Sequence, residues 1–304
     1  MAELVLHHYD TSPFSEKPRV MFGVKGLAWR SVIQPVIMPK PDLVPLTGGY
    51  RRIPVMQIGA DLYCDTQVIL AEIETRHPTP QVARGGDWAV NLWADRLFFQ
   101  ASVAVVFAQI GERVPAAFIA DREKLSGRSF DIPAMRAQEV PMKALWRAHA
   151  ALIERGLGGH DFLGGSTPSL ADIAAYMNIW WVSAAAPDAA GSLLDGLPAT
   201  LAWRERIRGF GHGERSEMAP AEAVEIARAS QPRAGPWHDP ANPAGLSPGE
   251  PVTVCADDYG RDPIAGRLVA LTAERIVLAR ESDDLGRIHV HFPRIGYLIA
   301  REAA

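Results

Sequence analysis

Short apolar runs alternate with segments of helical periodicity along residues 1–80. An apolar run of a few residues between turn signals is typical of a buried strand, and apolar positions three and four apart predict a helix. The sequence therefore predicts, in order, a strand at 4–9, a helix at 15–25 that ends at Gly26, a strand at 29–35, a hairpin of strands at 55–58 and 62–64, and a helix at 66–76. Pro18 falls inside the first helix. Since proline is tolerated only in a first turn, we expect regular helix from about Ser15 rather than from Ser12.

The order β-α-β, then β-β-α, is that of a thioredoxin-like domain at residues 1–80. Helical spacing then dominates residues 88–230, for example at Trp88, Leu92 and Phe99. The stretch at 173–182 is too apolar for a surface helix and predicts a helix in the core. We therefore expect an all-helical second domain at 88–230.

The composition changes after residue 230. Five prolines and three glycines lie within 231–249, which predicts a semi-extended linker. Beyond it, short apolar runs separated by turn residues predict five strands, at 252–255, 266–271, 275–279, 287–292 and 297–300. A small barrel of SH3-like or similar type is the simplest closure for five short strands, so we expect a separate β-barrel domain at 250–304.

Composition and charge exclude several classes of protein. The chain has 304 residues, of which 48% are hydrophobic and 22% charged, as in a folded protein of more than one domain. A net charge of −4 gives no electrostatic footprint for nucleic acid or an anionic membrane. No signal peptide is expected, and no uncharged apolar run approaches the ~20 residues that span a bilayer. The two cysteines, Cys64 and Cys255, fit a reducing cytoplasm better than a disulfide framework.

Four short motifs stand near the boundaries of predicted elements. They are Ser12-Pro13-Phe14-Ser15, Ile53-Pro54, Asp65-Thr66 and Ser169-Leu170-Ala171-Asp172-Ile173. In this order and spacing they resemble the glutathione S-transferase superfamily, of a serine type, over residues 3–230, whereas residues 246–304 lie outside the resemblance. The first motif stands where relatives carry a Cys-Pro-Phe-Cys-like motif or a catalytic serine. The last matches a capping box in a core helix, so we expect Asp172 to act in folding rather than in catalysis.

Ser12 is the residue to which the resemblance assigns catalysis. Glutathione must be held as a thiolate, because the thiol is a poor nucleophile. A hydroxyl at a helix N-terminus can donate to that sulfur, and such a bond is worth about 1.5–3 kcal/mol, enough to lower the thiol pKa by roughly one to two units. The alternative is that Ser12 only caps a helix, and for Ser15, the second hydroxyl candidate, a cap is the favoured role. Because serine cannot form a mixed disulfide, the motif excludes thiol–disulfide exchange.

The other candidate contacts to glutathione also come from the resemblance. Ile53-Pro54 matches a Val-Pro whose cis proline leaves backbone groups free to pair with a peptide ligand, and the alternative is a trans proline that ends a loop. Asp65 is expected to pair with the ligand ammonium and Thr66 to receive a carboxylate at the helix N-terminus, although both are ordinary helix caps as well. Arg52 stands where many relatives keep a lysine near the glycyl carboxylate, and it could equally be a solvated loop charge.

Three other features have simpler interpretations. Cys64 closes a strand and is expected to be a small buried apolar residue rather than a redox centre. His289 and His291 share one face of a strand, but no Cys/His pair with ligand spacing accompanies them, so no metal site is expected. The run Asp257-Asp258-Tyr259-Gly260 is expected to be a solvated turn.

The leading hypothesis is a cytoplasmic glutathione transferase-like enzyme, which activates the thiol of glutathione for addition to a small hydrophobic electrophile. The electrophile would bind between the domains, against helices at 93–107 and near Trp180 and Trp181. The resemblance also implies a homodimer. Two alternatives stay open: a non-catalytic scaffold whose C-terminal β domain engages a partner, since a fold does not transfer function, and a glutathione-dependent isomerase or lyase.

Overall fold

The N-terminal elements follow the predicted order. A computed structural model of the chain describes residues 3–233 and 238–302. Its first elements are β1 Val5–His8, α1 Pro13–Lys25, β2 Ala28–Ile33, α2 Leu43–Thr47, β3 Val55–Ile58, β4 Asp61–Cys64 and α3 Thr66–Arg76. Strand β1 pairs parallel with β2 and antiparallel with β3, and β3 pairs antiparallel with β4. The thioredoxin-like domain predicted from the order of elements is therefore confirmed.

Helix α1 begins earlier than expected. Pro13 is its first residue, where a missing amide hydrogen costs nothing, and Ser12 caps it from an extended conformation. Pro18 lies inside the continuous helix, at a position that cannot donate a hydrogen bond to the Phe14 carbonyl. The expectation of regular helix only from about Ser15 is therefore wrong, whereas Gly26 ends the helix as predicted, with a φ of 61°.

The helical region surrounds one buried helix. Its elements are α4 Asp87–Trp93, a π-helical turn Ala94–Phe98, α5 Phe99–Ile110, a 3-10 turn Gly111–Arg113, α6 Ala116–Ser126, α7 Ile132–Ala137, α8 Glu139–Leu157, α9 Leu170–Ala185, α10 Pro187–Leu194, α11 Pro198–Gly209 and α12 Pro220–Arg228. Helix α9 is the apolar helix predicted for the core, and it packs against α1, α4 and α5. The predicted capping box is present at its start, where the Ser169 amide donates to Asp172 over 2.8 Å.

One strand interrupts the helical region. Strand β5, Glu214–Glu217, pairs parallel with β2 at the edge of the N-terminal sheet. Helix α12 then crosses back over this sheet, where Ala223 packs with Val5 and Val32. Residues 214–228 therefore belong to the sheet and its covering layer rather than to the helical bundle.

All five C-terminal strands are present where the sequence predicts them. They are β6 Pro251–Ala256, β7 Ile264–Leu271, β8 Arg275–Ser282, β9 Gly286–Pro293 and β10 Tyr297–Arg301. Each is antiparallel to its neighbour in the order β10-β6-β7-β8-β9. The ladders between described residues give no pairing that closes these five strands on themselves, so the predicted SH3-like barrel is not confirmed.

The C-terminal strands instead continue the N-terminal sheet. Strand β9 pairs parallel with β4, with Asp61 opposite His289, and this ladder completes a ten-stranded sheet in the order β10-β6-β7-β8-β9-β4-β3-β1-β2-β5. A shared apolar core lies on one side of the junction, where Leu43 and Leu62 pack with Val290 and Phe292. The junction therefore fixes the C-terminal strands against the N-terminal region.

The chain between these two parts follows the protein surface where it is described. Residues 234–237 of the predicted linker lie outside the described residues. On either side, the Arg233 amide donates to Asp61 over 2.9 Å, and the Asp239 amide donates to the Leu271 carbonyl over 2.9 Å. Leu246 is buried in the shared core.

Candidate functional site

The predicted site residues, Ser15 excepted, line two adjoining cavities. The polar cavity, of about 60 Å³, is lined by residues of the N-terminal region, α4, the π-helical turn and the C-terminal strands with their loops. The N-terminal ones are Phe14, Tyr50, Arg52, Ile53, Pro54, Asp65, Thr66 and Gln67. The apolar cavity, of about 280 Å³, has Ser12 in its wall and shares Phe14, Arg52 and Ile53 with the polar one. The Ile53–Pro54 peptide bond between them is cis.

Ser12 caps helix α1 and also lies in the wall of the apolar cavity. Its Oγ accepts the amide hydrogen of Ser15 over 3.2 Å, so it caps α1. A hydroxyl oxygen that accepts one bond still has its own hydrogen to donate. The unpaired amides of the first helical turn add a partial positive charge at the same point. Capping therefore leaves Ser12 able to donate to an anionic sulfur in the cavity.

Tyr9 is a site residue that sequence reasoning missed. It follows β1 directly and lines the apolar cavity, and its carbonyl accepts the amide hydrogen of Ser12 over 3.1 Å. Burial raises the pKa of Tyr9 above its usual value, so the phenol keeps its proton at neutral pH. The only sequence signal was its place at the end of the first predicted strand, immediately before the turn that leads to Ser12.

Ser15 does not have the role that was expected for it. Its side chain is fully buried and lines neither cavity, and its Oγ has no hydrogen-bond partner among the described residues. The helix cap assigned to Ser15 is provided by Ser12 instead, because α1 begins at Pro13. The expected cap role of Ser15 is therefore wrong, and nothing in the geometry of the cavities supports a contact with glutathione.

Asp65 and Thr66 lie at the head of α3, as predicted. Asp65 caps the helix by accepting the Gln67 amide hydrogen over 2.9 Å, and its φ of 89° is rare for a residue other than glycine. Such strained residues persist where the surrounding structure holds them and cluster at functional sites. Thr66 accepts a hydrogen bond of 2.9 Å from Lys17, whose buried ammonium also pairs with Asp95 over 2.7 Å.

Arg52 is not a solvated loop charge. Its guanidinium pairs with Asp258 over 2.5 Å and lies 4.1 Å from the ring centroid of Tyr259. The Gly260 amide in the same loop donates to the Leu125 carbonyl over 2.8 Å. The expectation of a solvated turn at 257–260 is therefore wrong, because this loop packs on the site.

The apolar cavity suits a hydrophobic ligand. Six of its lining side chains are phenylalanine or tryptophan: Phe14, Phe99, Phe107, Phe118, Phe130 and Trp181. Trp180, the neighbour of Trp181, does not line the cavity and lies instead over Arg19, 5.7 Å from its guanidinium carbon. Lys40 lies in the wall as well, and burial lowers its pKa to about 8. The cavity therefore combines aromatic side chains with cationic groups in its lining.

Cys64 is buried, as predicted, and is fully inaccessible. Burial raises the pKa of its thiol well above the usual value, and the nearby Asp65 charge acts in the same direction. Both effects disfavour the thiolate, which is the reactive form. The structure thus gives Cys64 none of the features of a redox centre.

One cluster has the ligand types of a metal site. Asp61, His289 and His291 offer ligand atoms within 4.8 Å of one another at the β4–β9 junction, and all three are buried. His291 Nε2 lies 2.8 Å from an Asp61 carboxylate oxygen and His289 Nδ1 lies 3.9 Å from it. Burial lowers the pKa of both imidazoles, which favours their neutral form. The sequence could not reveal this cluster, because Asp61 joins it only through strand pairing.

Comparisons with known proteins agree with this architecture. The glutathione S-transferase N-terminal domain model matches residues 6–81, and the C-terminal domain model matches residues 117–206. A solved GST-like protein from Pseudomonas syringae is 36% identical, with a TM-score of 0.81, and the match covers 98% of this chain and 100% of that one. The chain belongs to the glutathione S-transferase superfamily. Because that match spans the full length, the C-terminal strands are shared with this relative.

Two more distant relatives of the glutathione S-transferase chain are informative. Glutathione S-transferase U4 of Arabidopsis thaliana is 24% identical over 166 residues, which is 54% of this chain and 64% of the relative, so the match spans less than two thirds of that protein. A Methylobacterium radiotolerans glutathione S-transferase, solved with glutathione sulfonate, shares the fold at 20% identity and a TM-score of 0.50, over 68% of this chain and 90% of that one. Within residues 3–233 and 238–302, every helix is too short or too polar to cross a bilayer.

Proposed function

We propose that this protein binds glutathione and activates its thiol at Ser12 for addition to a small hydrophobic electrophile. One observation carries the proposal. The Ser12 hydroxyl, at the N-terminus of α1, lies in the wall of an aromatic cavity that adjoins a second cavity containing Asp65, Thr66 and Arg52. A thiol held between these groups would have its polar ends in one cavity and its sulfur facing the other.

The polar cavity has the charges that glutathione requires. A carboxylate at Asp65 complements the γ-glutamyl ammonium, and the guanidinium of Arg52 complements the glycyl carboxylate. The N-terminus of α3 at Thr66 favours the γ-glutamyl carboxylate. The names of the relatives and the bound glutathione sulfonate in one of them support the same ligand. The second cavity would hold the electrophile, because six of its lining side chains are phenylalanine or tryptophan.

A titration of glutathione, followed by calorimetry, tests the proposal. We expect the wild type to bind, Asp65→Ala to lose most of the affinity, and Ser12→Ala to bind while losing turnover with a hydrophobic electrophile. Ser166→Ala is a matched control, since Ser166 is exposed and far from the cavities in the chain. Absence of binding to the wild type would contradict the proposal.

A non-catalytic scaffold is the second candidate, and one observation favours it. The groups assigned to glutathione already contact the chain itself, since Arg52 pairs with Asp258 and Asp65 accepts from Tyr297. If the wild type and the variants at these contacts all fail to bind glutathione, the scaffold becomes the better description. A pull-down of partners with and without residues 250–304 would then be informative only after a test that the shortened chain folds.

Assembly and location are proposals as well. We infer a homodimer, as is usual in the superfamily, which sedimentation equilibrium can test. A reducing cytoplasm fits the free state of both cysteines, Cys64 and Cys255. A glutathione-dependent isomerase or lyase has no separate support in the geometry of the cavities, and product analysis would distinguish it from a transferase.

A further inference from the structure

Residues of the C-terminal strands and their loops contact Arg52 and Asp65, which we assign to glutathione, and the neighbouring Gln67. The loop after β6 brings Asp258 to Arg52, at 2.5 Å. The last strand brings the Tyr297 hydroxyl to Asp65, at 3.2 Å. The loop between β9 and β10 brings the Ile295 carbonyl to the Gln67 side-chain amide, at 3.2 Å. All three contacts join the N-terminal region to residues that the resemblance does not cover.

These contacts match the chemistry of the proposed ligand. Glutathione has an ammonium group at one end, which would donate to Asp65, and a carboxylate at the other, which would accept from Arg52. Tyr297 donates to Asp65, and Asp258 offers a carboxylate to Arg52. Tyr297 therefore occupies the place of the ligand ammonium as a donor to Asp65, and Asp258 occupies the place of the ligand carboxylate as an acceptor from Arg52.

The space left in the polar cavity is small. Its volume is about 60 Å³, against about 280 Å³ for the adjoining apolar cavity, and both Asp258 and Tyr297 line it. Tyr297 is only 3% exposed, and its hydroxyl also lies 3.1 Å from that of Tyr50. A tripeptide thiol that pairs with both Arg52 and Asp65 would therefore have to displace the Asp258 and Tyr297 contacts.

The loops are held firmly enough for this competition to matter. Arg96 pairs with Asp257 over 2.6 Å, and the Gly260 amide is bonded to the Leu125 carbonyl. The β4–β9 ladder fixes β9 beside β4, and the Gln67 side chain of α3 donates to the Ile295 carbonyl that follows β9. Movement of these residues would break identifiable contacts, and the free energy of breaking them reduces the affinity for the ligand.

We propose that Asp258 and Tyr297 determine which thiols this site accepts and how tightly, because they compete with the charged ends of glutathione for Arg52 and Asp65. This inference rests on the proposed binding of glutathione. It assigns the C-terminal strands a direct part in the site, rather than a separate role away from it. Thiols that lack the carboxylate at the Arg52 end would leave the Asp258 contact in place and encounter less of this competition.

Calorimetric titration of glutathione into four proteins tests the inference: the wild type, Asp258→Asn, Tyr297→Phe and the double variant. We expect each single variant to bind more tightly than the wild type, and the double variant to bind about tenfold more tightly or better. Asp262→Asn is the matched control, because it removes the same charge from an exposed residue of the same connection between β6 and β7. It should bind as the wild type does.

The outcomes separate the two proposals. Equal or weaker binding by the double variant, with binding by the wild type intact, overturns the competition and leaves the proposed function standing. Failure of all proteins to bind glutathione overturns both. If a variant does not fold, amide hydrogen exchange of the wild type tests whether glutathione displaces the loop that carries Asp258. Glutathione should then speed exchange of the Gly260 amide, which is bonded to the Leu125 carbonyl. Unchanged or slower exchange in the bound protein would contradict the inference.

Discussion

The Tyr297 hydroxyl donates to the Asp65 carboxylate over 3.2 Å, although the two residues lie 232 positions apart. Asp65 stands at the head of α3 in a strained conformation, and Tyr297 opens the last strand. This bond connects a part of the chain outside the family models with a residue that we assign to glutathione.

Asp65→Asn should weaken glutathione binding while leaving the fold intact. Asparagine can still cap α3 and accept from Tyr297, but it loses the charge that would pair with the ligand ammonium. We expect affinity to fall at least about tenfold and the free energy of unfolding to change by less than about 1 kcal/mol. Calorimetry measures the affinity for glutathione, and urea unfolding measures the free energy of unfolding. Asp42→Asn is the control, since Asp42 precedes α2 without making a capping bond. Unchanged affinity in Asp65→Asn would contradict the assignment.

Asp172→Ala should destabilise the protein without a specific loss of binding. The buried carboxylate accepts from the Ser169 amide, the Leu163 amide and the Trp203 indole, at 2.7 to 2.8 Å. Removal leaves several buried donors without an acceptor, at a cost of about 3 kcal/mol in unfolding free energy. Urea unfolding tests this against Asp188→Ala, an exposed acid at the start of α10. Full stability with lost turnover would instead place Asp172 in the catalytic machinery.

The stability of the protein should fall below about pH 6.5, in part through His7. Burial lowers the pKa of His7 to about 4, where the Gln57 side chain is its hydrogen-bond partner. Because the unfolded chain keeps the ordinary value of 6.5, it takes up the proton first as the pH falls. The stabilisation is therefore complete above pH 6.5 and is lost towards pH 4, by roughly 3 kcal/mol at most.

Urea unfolding at several pH values measures this dependence. His7→Gln should flatten it between pH 6.5 and 4, whereas His160→Gln, at an exposed position, should leave it unchanged. His8 contributes in the same direction, since burial, reinforced by the Arg19 charge, lowers its pKa to about 3. An equal slope in His7→Gln and the wild type would show that His7 titrates normally.

Asp61→Ala should destabilise the junction between β4 and β9. The buried His291 would lose the carboxylate at 2.8 Å, at a cost of about 1–3 kcal/mol. Asp283→Ala, an exposed acid in the turn before β9, serves as the control. We expect EDTA to leave the unfolding midpoint of the wild type unchanged, in keeping with the expectation of no metal. If EDTA lowers the unfolding midpoint of the wild type but not that of Asp61→Ala, the result would assign Asp61, His289 and His291 to a metal ion.

The sequence predicted local features well and pairing between distant elements poorly. The five C-terminal strands were predicted to within a few residues, because short apolar runs between turn residues are a local signal. Their attachment to β4 was not predictable, since the choice of a ladder partner depends on the whole fold. The same reason explains the turn at 257–260, whose Asp258 has the local signature of a solvated turn but faces Arg52.

The start of α1 shows where a local rule failed. Pro18 suggested a late start, yet the helix begins at Pro13, with Ser12 as its cap, and continues through Pro18. The residue that caps the helix is therefore Ser12 rather than the predicted Ser15. Tyr9 was missed because an aromatic residue at the end of a strand has no sequence signal that separates core from cavity.

The pH titration of bound glutathione, followed by the ultraviolet absorbance of its thiolate, tests the central claim most directly. In the wild type the thiol pKa should be roughly one to two units below that of free glutathione. Ser12→Ala should return it towards the free value, and Ser12→Thr, which keeps the hydroxyl, should preserve most of the shift. A thiol that titrates identically in the wild type and Ser12→Ala, with glutathione bound in both, would contradict the account.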